Sequence, residues 1–105
     1  MLTWSPTSPE RMNWDDAQQW CAAQGDGWRC PIIQELISIV DYATTEKPCV
    51  ITSLRATTVA ASYWSSTLGA LDPSLAWDVD FVVGYVLNDS KFTFNYVRAV
   101  RGTLC

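Results

Sequence analysis

Histidine is absent from this chain, no two cysteines stand in C-x-x-C spacing, and neither lysine nor arginine occurs in a run. Each absence closes off a class of function. Without imidazole, and with Cys21, Cys30, Cys49 and Cys105 scattered along the sequence, a zinc site would need four unrelated thiolates and no knuckle, so no metal or other cofactor is expected. Seven basic residues against eleven acidic ones leave a net charge of -4. Nothing there neutralises a line of phosphates, so nucleic acid is excluded as a natural partner, and sulfated polysaccharides and anionic membranes are poor ones. The apolar run Phe81-Val82-Val83-Gly84-Tyr85-Val86-Leu87 falls far short of the roughly 18 to 20 residues that cross a bilayer, so no membrane insertion is expected. Met1-Leu2-Thr3-Trp4-Ser5-Pro6 has no charged segment followed by an apolar one, so export would need either a signal already removed or another route.

What is present is core material. Hydrophobic residues make up 49% and charged ones 17% of 105 residues, with six tryptophans. That is enough for one domain, 1–105, that folds alone and buries about two-thirds of its unfolded surface. Most of the rings are expected inside. The even cysteine set reads as two disulfides, and spacing leaves all three pairings open.

The stretch Gly27-Trp28-Arg29-Cys30-Pro31-Ile32-Ile33-Gln34-Glu35-Leu36 brings an aromatic, a charge, a thiol, a proline and a helical apolar pattern together. Before it, Asn13 precedes a helix expected over 14–24, with Trp14, Ala17, Trp20 and Cys21 on one face and Gly25 as the stop. After it, Ile33, Leu36, Ile37 and Val40 predict a second helix over 32–42. Glu35 holds the capping-box position, yet Ile32 at the cap accepts no hydrogen bond, so Glu35 is free for another partner and Arg29 is the nearest. Residues 44–61 are an irregular connection.

Leu2-Thr3-Trp4 predicts a short edge strand, Tyr63-Trp64-Ser65-Ser66-Thr67 another, and Tyr96 to Arg101 the last. Between them Trp77, Val79 and Phe81 alternate with Asp78 and Asp80, which predicts a strand with one dry face and one acidic, wet face, followed by a hairpin through Gly84 to Tyr85-Val86-Leu87. Two early helices and a late antiparallel sheet make an α+β domain.

Six segments in order resemble one family, the C-terminal domain of bacterial collagen-like adhesins named for the Legionella protein. They are Leu2-Thr3-Trp4, Trp14-Asp15-Asp16-Ala17 with Cys21, Trp28-Arg29-Cys30-Pro31 with Glu35-Leu36, Tyr63 to Thr67, Ala76 to Phe81 with Gly84, and Tyr96 to Gly102. The resemblance implies a C-type-lectin-like fold in which two early helices pack on the sheet, and structural roles for Trp28, Arg29, Glu35, Trp64 and Arg98. Cys30, Ile32 and Ala99 depart from the family pattern. Because the family commonly has a cysteine where Ala99 stands, the resemblance implies that Cys105 takes over as partner of Cys21, leaving Cys30 to pair with Cys49.

The resemblance also implies an extracellular binding or adhesion module, secreted or on a bacterial or phage surface, taking a glycan or protein ligand. The late loops are where such a ligand is expected. Asp72, Trp77, Asp78, Tyr85, Asn88 and Asp89 combine ring faces with hydrogen-bond acceptors there. The lectin calcium triplets are missing, and Asp72, Asp78, Asp80 and Asp89 read more plainly as a solvated acidic face than as calcium ligands. The region from Arg29 to Glu35 is distantly similar to formylglycine-generating enzymes, which are much larger and work through a copper-binding cysteine pair. Here no histidine and no serine with a base are in evidence, so no catalytic residue and no enzyme activity are expected. The alternative is a structural subunit of a filament, fibre or phage tail, a homo-oligomer assembled through apolar residues such as Ile39, Ile51, Leu54, Val59, Leu68, Leu71 and Leu75.

Overall fold

The first helix begins where Asn13 supplies the oxygen that its backbone needs. In the computed structural model, which describes residues 1–104, the Asn13 side chain accepts from the Asp16 amide at 2.9 Å and caps α1 (Trp14–Ala22), with Asp15 and Asp16 in the first turn. Its end comes before residue 24 because the amides of Gln24 and Gly25 bond back three residues, to Cys21 and Ala22, and Gly25 then takes a φ of 131°. Ala17 and Cys21 face inward.

The second helix is much shorter than its apolar pattern predicts. α2 spans Ile33–Ile37, and the amides of Ile39 and Val40 already bond three residues back, to Leu36 and Ile37. Beyond that the chain leaves helical geometry to pair with the following segment: Val40 bridges Val50, the Ile51 amide donates to Ile39 and the Asp41 amide to Cys49. A ladder with a distant segment has overridden the local period, as the β-branched Ile39 and Val40 favour. The connection is closed by a 3-10 turn at Thr52–Thr57.

The strands form two sheets. β1 (Leu2–Trp4) pairs antiparallel with β5 (Val100–Gly102), while β2 (Ser62–Leu68), β3 (Leu75–Asp80) and β4 (Tyr85–Ser90) run antiparallel in that order. Single bridges tie the rest: Met12 to Asn95, Arg29 to Val100 and Tyr63 to Tyr96. Within the three-stranded sheet, β2 and β3 are covered on both faces, while β4 is exposed. Tyr63 and Val79 pack with Leu36, Ile39, Val40, Val50 and Phe81 on the α2 side, and Trp64 and Ala76 pack with Ala17, Cys21, Cys30, Val97 and Ala99 on the α1 side. The wet face expected for β3 therefore does not exist at Asp78, which is fully buried.

Between the two helices runs a strap that holds both sheets. Arg29 exchanges two backbone hydrogen bonds with Val100, at 3.0 and 2.8 Å, and its guanidinium grips Glu35 with both nitrogens at 2.7 Å. One of those nitrogens also donates to the Gly102 carbonyl at 2.9 Å. Glu35 is buried and takes a third bond from the Ile32 amide at 2.9 Å. The cap that Ile32 cannot provide comes from β2, where Thr67 Oγ1 accepts from the Ile33 amide at 3.0 Å. β2 reaches it through an irregularity between Trp64 and Leu68, where the Ser66 amide donates to Pro31 at 2.8 Å and Ser65 Oγ to Trp77 at 2.7 Å.

Arg98 is buried and donates to three neutral oxygens: the Ser5 carbonyl at 2.9 Å, Thr58 Oγ1 at 2.6 Å and Thr57 Oγ1 at 2.9 Å. It pins the segment after β1 and the 3-10 turn to the chain leading into β5. Trp28 lies under Arg101, 5.0 Å from ring centroid to guanidinium carbon, and Trp64 donates its indole N–H to Met12 at 2.9 Å.

The expected disulfides are corrected by the packing. Cys21, Cys30 and Cys49 are free thiols; Cys30 lies in the core on the α1 side, whereas the Cys49 thiol donates to Val82 at 3.3 Å. A Cys30 to Cys49 bond is incompatible with that placement, and the Cys21 to Cys105 pairing falls on a residue outside those described.

Arg29 holds the Glu35 carboxyl below its ordinary range, more than burial raises it. A carboxylate with a lowered folded pKa stabilises above the unfolded value of about 4.3 and loses that contribution as pH falls through the folded one. Glu35→Gln is expected to cost about 1–3 kcal/mol at pH 7 and to converge on the parent protein below about pH 4, as read by chemical denaturation.

Candidate functional site

The turn joining β2 to β3 is drawn tight by Gly69, where a Cβ would stand 2.7 Å from the Asp72 carbonyl oxygen, and by hydrogen bonds from Gly69 N to Leu75 at 2.8 Å and Leu75 N to Asp72 at 3.1 Å. Asp72 Oδ1 accepts from the Ser74 amide at 3.0 Å and the Ser74 hydroxyl at 2.6 Å, and those bonds hold its carboxyl below the ordinary value. Asp72 is thus a fixed, ionised acceptor at the surface. Leu71 at the tip is wholly exposed.

Below this turn lies a cleft of about 370 Å³ lined by Gly69, Ala70, Leu71, Asp72, Leu75, Trp77 and Asn88. Its wall is mainly apolar, and half-buried Trp77 stands opposite Asn88 in the β3–β4 ladder. Three of the six expected ligand residues, Asp72, Trp77 and Asn88, meet here. A second, more open groove of about 440 Å³ beside α1 is lined by Glu10, Arg11, Met12, Asp16, Gln19, Trp20 and Ala23. Its charged rim and shallow form suit solvent better than an enclosed ligand.

The other three expected residues are elsewhere. Side chains alternate across a sheet, and the pairings Trp77 to Asn88, Asp78 to Leu87 and Ala76 to Asp89 place Asp78, Tyr85 and Asp89 on the opposite face. Tyr85 is exposed, whereas Asp78 is buried and Asp89 half-buried. Asn95 gathers the two carboxyls, its amide donating to Asp78 Oδ2 at 3.1 Å and to Asp89 Oδ2 at 3.2 Å. Burial first, then a hydrogen bond and charge from Asp89, push the Asp78 carboxyl up to about 8. Its other oxygen, Oδ1, is buried without a hydrogen-bond partner, which fits a carboxyl that keeps its proton at neutral pH.

The cleft lining offers one carboxylate, one side-chain amide and one indole face. Among the described residues no three aspartate, glutamate, cysteine or histidine side chains converge on a point that would hold a metal. The sequence missed Gly69, Leu71 and Leu75 as walls of the cleft and Asn95 as the partner of the two carboxyls. Gly69 had a visible signal as a turn residue; Asn95, between exposed Phe94 and half-buried Tyr96, had none.

A carboxyl whose folded pKa is raised costs no stability below its unfolded value near 3.9 and an increasing amount as pH climbs to about 8. Asp78→Asn keeps the shape and the donor of the protonated acid, so the variant is expected to melt higher than the parent above pH 6, with the gap widening to pH 9 and closing near pH 4. Calorimetry across that range provides the check.

No curated protein matches the chain significantly. The sequence model of one family does, over residues 1–101, which include the strap, the three-stranded sheet and the cleft. The chain belongs to the Lcl C-terminal domain family.

Proposed function

We propose that the domain is a non-catalytic binding and adhesion module, displayed outside the cell, that takes a neutral glycan or a polar peptide segment in the cleft over Trp77. The observation that carries this reading is one cleft lined by both apolar and polar groups: Trp77 and Leu75, with Asp72 ionised and held by Ser74, and the Asn88 amide. A sugar ring presents an apolar face to a tryptophan and hydroxyl donors to a carboxylate, and the volume of about 370 Å³ is within the ordinary range for small ligands. The excess of acidic residues favours an uncharged ligand over a sulfated one. For the chain path, the C-type-lectin-like arrangement that the family resemblance implies is supported by two helices flanking antiparallel strands and by first and last strands that pair.

A second reading, assembly into a fibre or filament, is favoured by β4. Tyr85, Val86 and Leu87 are exposed on this outer strand of the sheet, and Phe92 and Phe94 follow it on the surface. Of the apolar residues expected outside, Ile51, Val59, Leu68 and Leu71 are exposed, but Ile39 is buried. A particle several times 11.7 kDa by light scattering would favour assembly over a monomeric binding module.

Binding is read on a glycan array and then by titrating the selected oligosaccharide against tryptophan fluorescence. Trp77→Ala is expected to weaken binding at least tenfold, as loss of a stacking anchor does, while Tyr85→Ala on the other face leaves it unchanged. Undiminished binding by Trp77→Ala would remove the cleft from the reading.

A further inference from the structure

The outer edge of β4 is open. Among the described residues its backbone pairs across the sheet with β3 alone, in an unshifted ladder from Tyr85 opposite Asp80 to Ser90 opposite Leu75. Alternate N–H and C=O groups of β4 therefore point away from the sheet. The other edge is finished differently: along β2 the Trp64 amide donates to Tyr96 at 2.9 Å and the Ser66 amide to Pro31 at 2.8 Å. Edge strands that stay single carry a lysine, a proline or a bulge that keeps a second strand off. β4 has none of these, and its one charge, Asp89, is held by the Asn95 amide.

The side chains repeat the pattern. Tyr85, Val86 and Leu87 are exposed in the strand itself. At its start Tyr42, 68% exposed, lies against Gly84, where a Cβ would stand 3.5 Å from the ring, and Val83 is exposed on the hairpin turn. At its end the Thr93 amide donates to Ser90 at 2.9 Å, in a turn that carries Phe92 and Phe94, 86% and 60% exposed. Seven of the fourteen large apolar side chains exposed among the described residues thus gather on one strand and its two ends. At about 200 Å² per aromatic side chain, the four aromatics alone leave on the order of 500 Å² open. The backbone edge with Val83, Val86 and Leu87 brings the strip toward the ~800 Å² that each partner gives to a standard interface.

We propose that two copies of this chain pair antiparallel through β4, about a two-fold axis perpendicular to the sheet, and so join two three-stranded sheets into one of six strands. The proposal rests on the reading of β4 as an assembly surface and puts a closed dimer in place of an open filament. Such an axis sets residues of the same sheet face opposite each other, so the register centres on a single residue. Centred on Val86, it opposes Val86 to its own copy and Tyr85 to Leu87 of the second copy, apolar against apolar throughout. Centred on Tyr85, it would run into the hairpin turn; centred on Leu87, it would oppose Tyr85 to Asp89. Antiparallel pairing also carries Phe92 and Phe94 of each copy toward the end of the other that bears Val83 and Tyr42. Both Trp77 clefts then open on one face of the joined sheet, which makes binding bivalent wherever a ligand repeats along a surface.

Light scattering of the full chain over a concentration series is expected to give twice 11.7 kDa at high concentration, falling toward 11.7 kDa on dilution. Val86→Lys sets two ammonium groups face to face on the axis and is expected to be monomeric throughout, with the melting temperature of the dilute parent. The register is read by cross-linking with oxidised glutathione in a background of Cys49→Ser and Cys105→Ser. Val86→Cys is expected to give a disulfide-linked dimer. Ser90→Cys, roughly 27 Å from its copy at about 3.4 Å per residue, is expected to give none. Should Val86→Lys fail to fold, the cross-linking pair decides. A parent protein that is monomeric at every concentration overturns the proposal and the assembly reading together, and leaves the cleft untouched. A parent that grows into a polymer, or a dimer that survives Val86→Lys, fails to link at Val86→Cys or links as readily at Ser90→Cys, overturns the proposal alone.

Discussion

The domain depends on the strap between its two helices, which the two-pronged contact of Arg29 with Glu35 ties to α2. The contact is effective because its two ends differ. Glu35 is buried on a short helix that could not cap itself, and Arg29 is half-exposed on an extended segment already laddered to β5. The guanidinium satisfies the carboxylate, the carboxylate satisfies the Ile32 amide, and Thr67 from β2 takes the next orphan donor. One network therefore joins the helix, the two-stranded sheet and the three-stranded sheet, and each member neutralises a polar group that burial would otherwise leave unpaired.

Buried Arg98 and Asp78 follow a different rule, because among the described residues neither forms an ion pair. Arg98 spreads its charge over a carbonyl and two hydroxyls, and burial lowers its pKa without removing the proton from so strong a base. Asp78 takes the other course and remains an acid, shared with Asp89 through Asn95. Protonation of Asp78 keeps an unbalanced anion out of the interior, while the retained charge of Arg98 is met by three oxygens. The carboxyl pair lies on the face of the sheet opposite Trp77 and the candidate cleft.

Much of the fold was legible. The Asn13 cap, the early helices, the hairpin at Gly84 and the partnership of Arg29 with Glu35 all rest on contacts within a few residues, where side-chain spacing and capping chemistry speak directly. Less of the site was. Asp72, Trp77 and Asn88 meet because of a strand register, and the same register sends Asp78, Tyr85 and Asp89 to the far face. Alternation in β3 was visible; that both of its faces are covered was not, since an antiparallel strand with aspartates on one side looks half-wet until a second layer is placed over it. α2 stops early for a similar reason, its last apolar residues being claimed by pairing with 49–51.

The sequence by itself determined the α+β class, the starts of the helices and the aromatic content of the core, because these depend on neighbours three or four positions apart. The tertiary structure alone decided that Cys30 and Cys49 stand apart, which aspartate keeps its proton, and which three residues of six share a cleft. Those outcomes depend on distance through space between segments tens of residues apart, and on the loss of solvent that packing imposes.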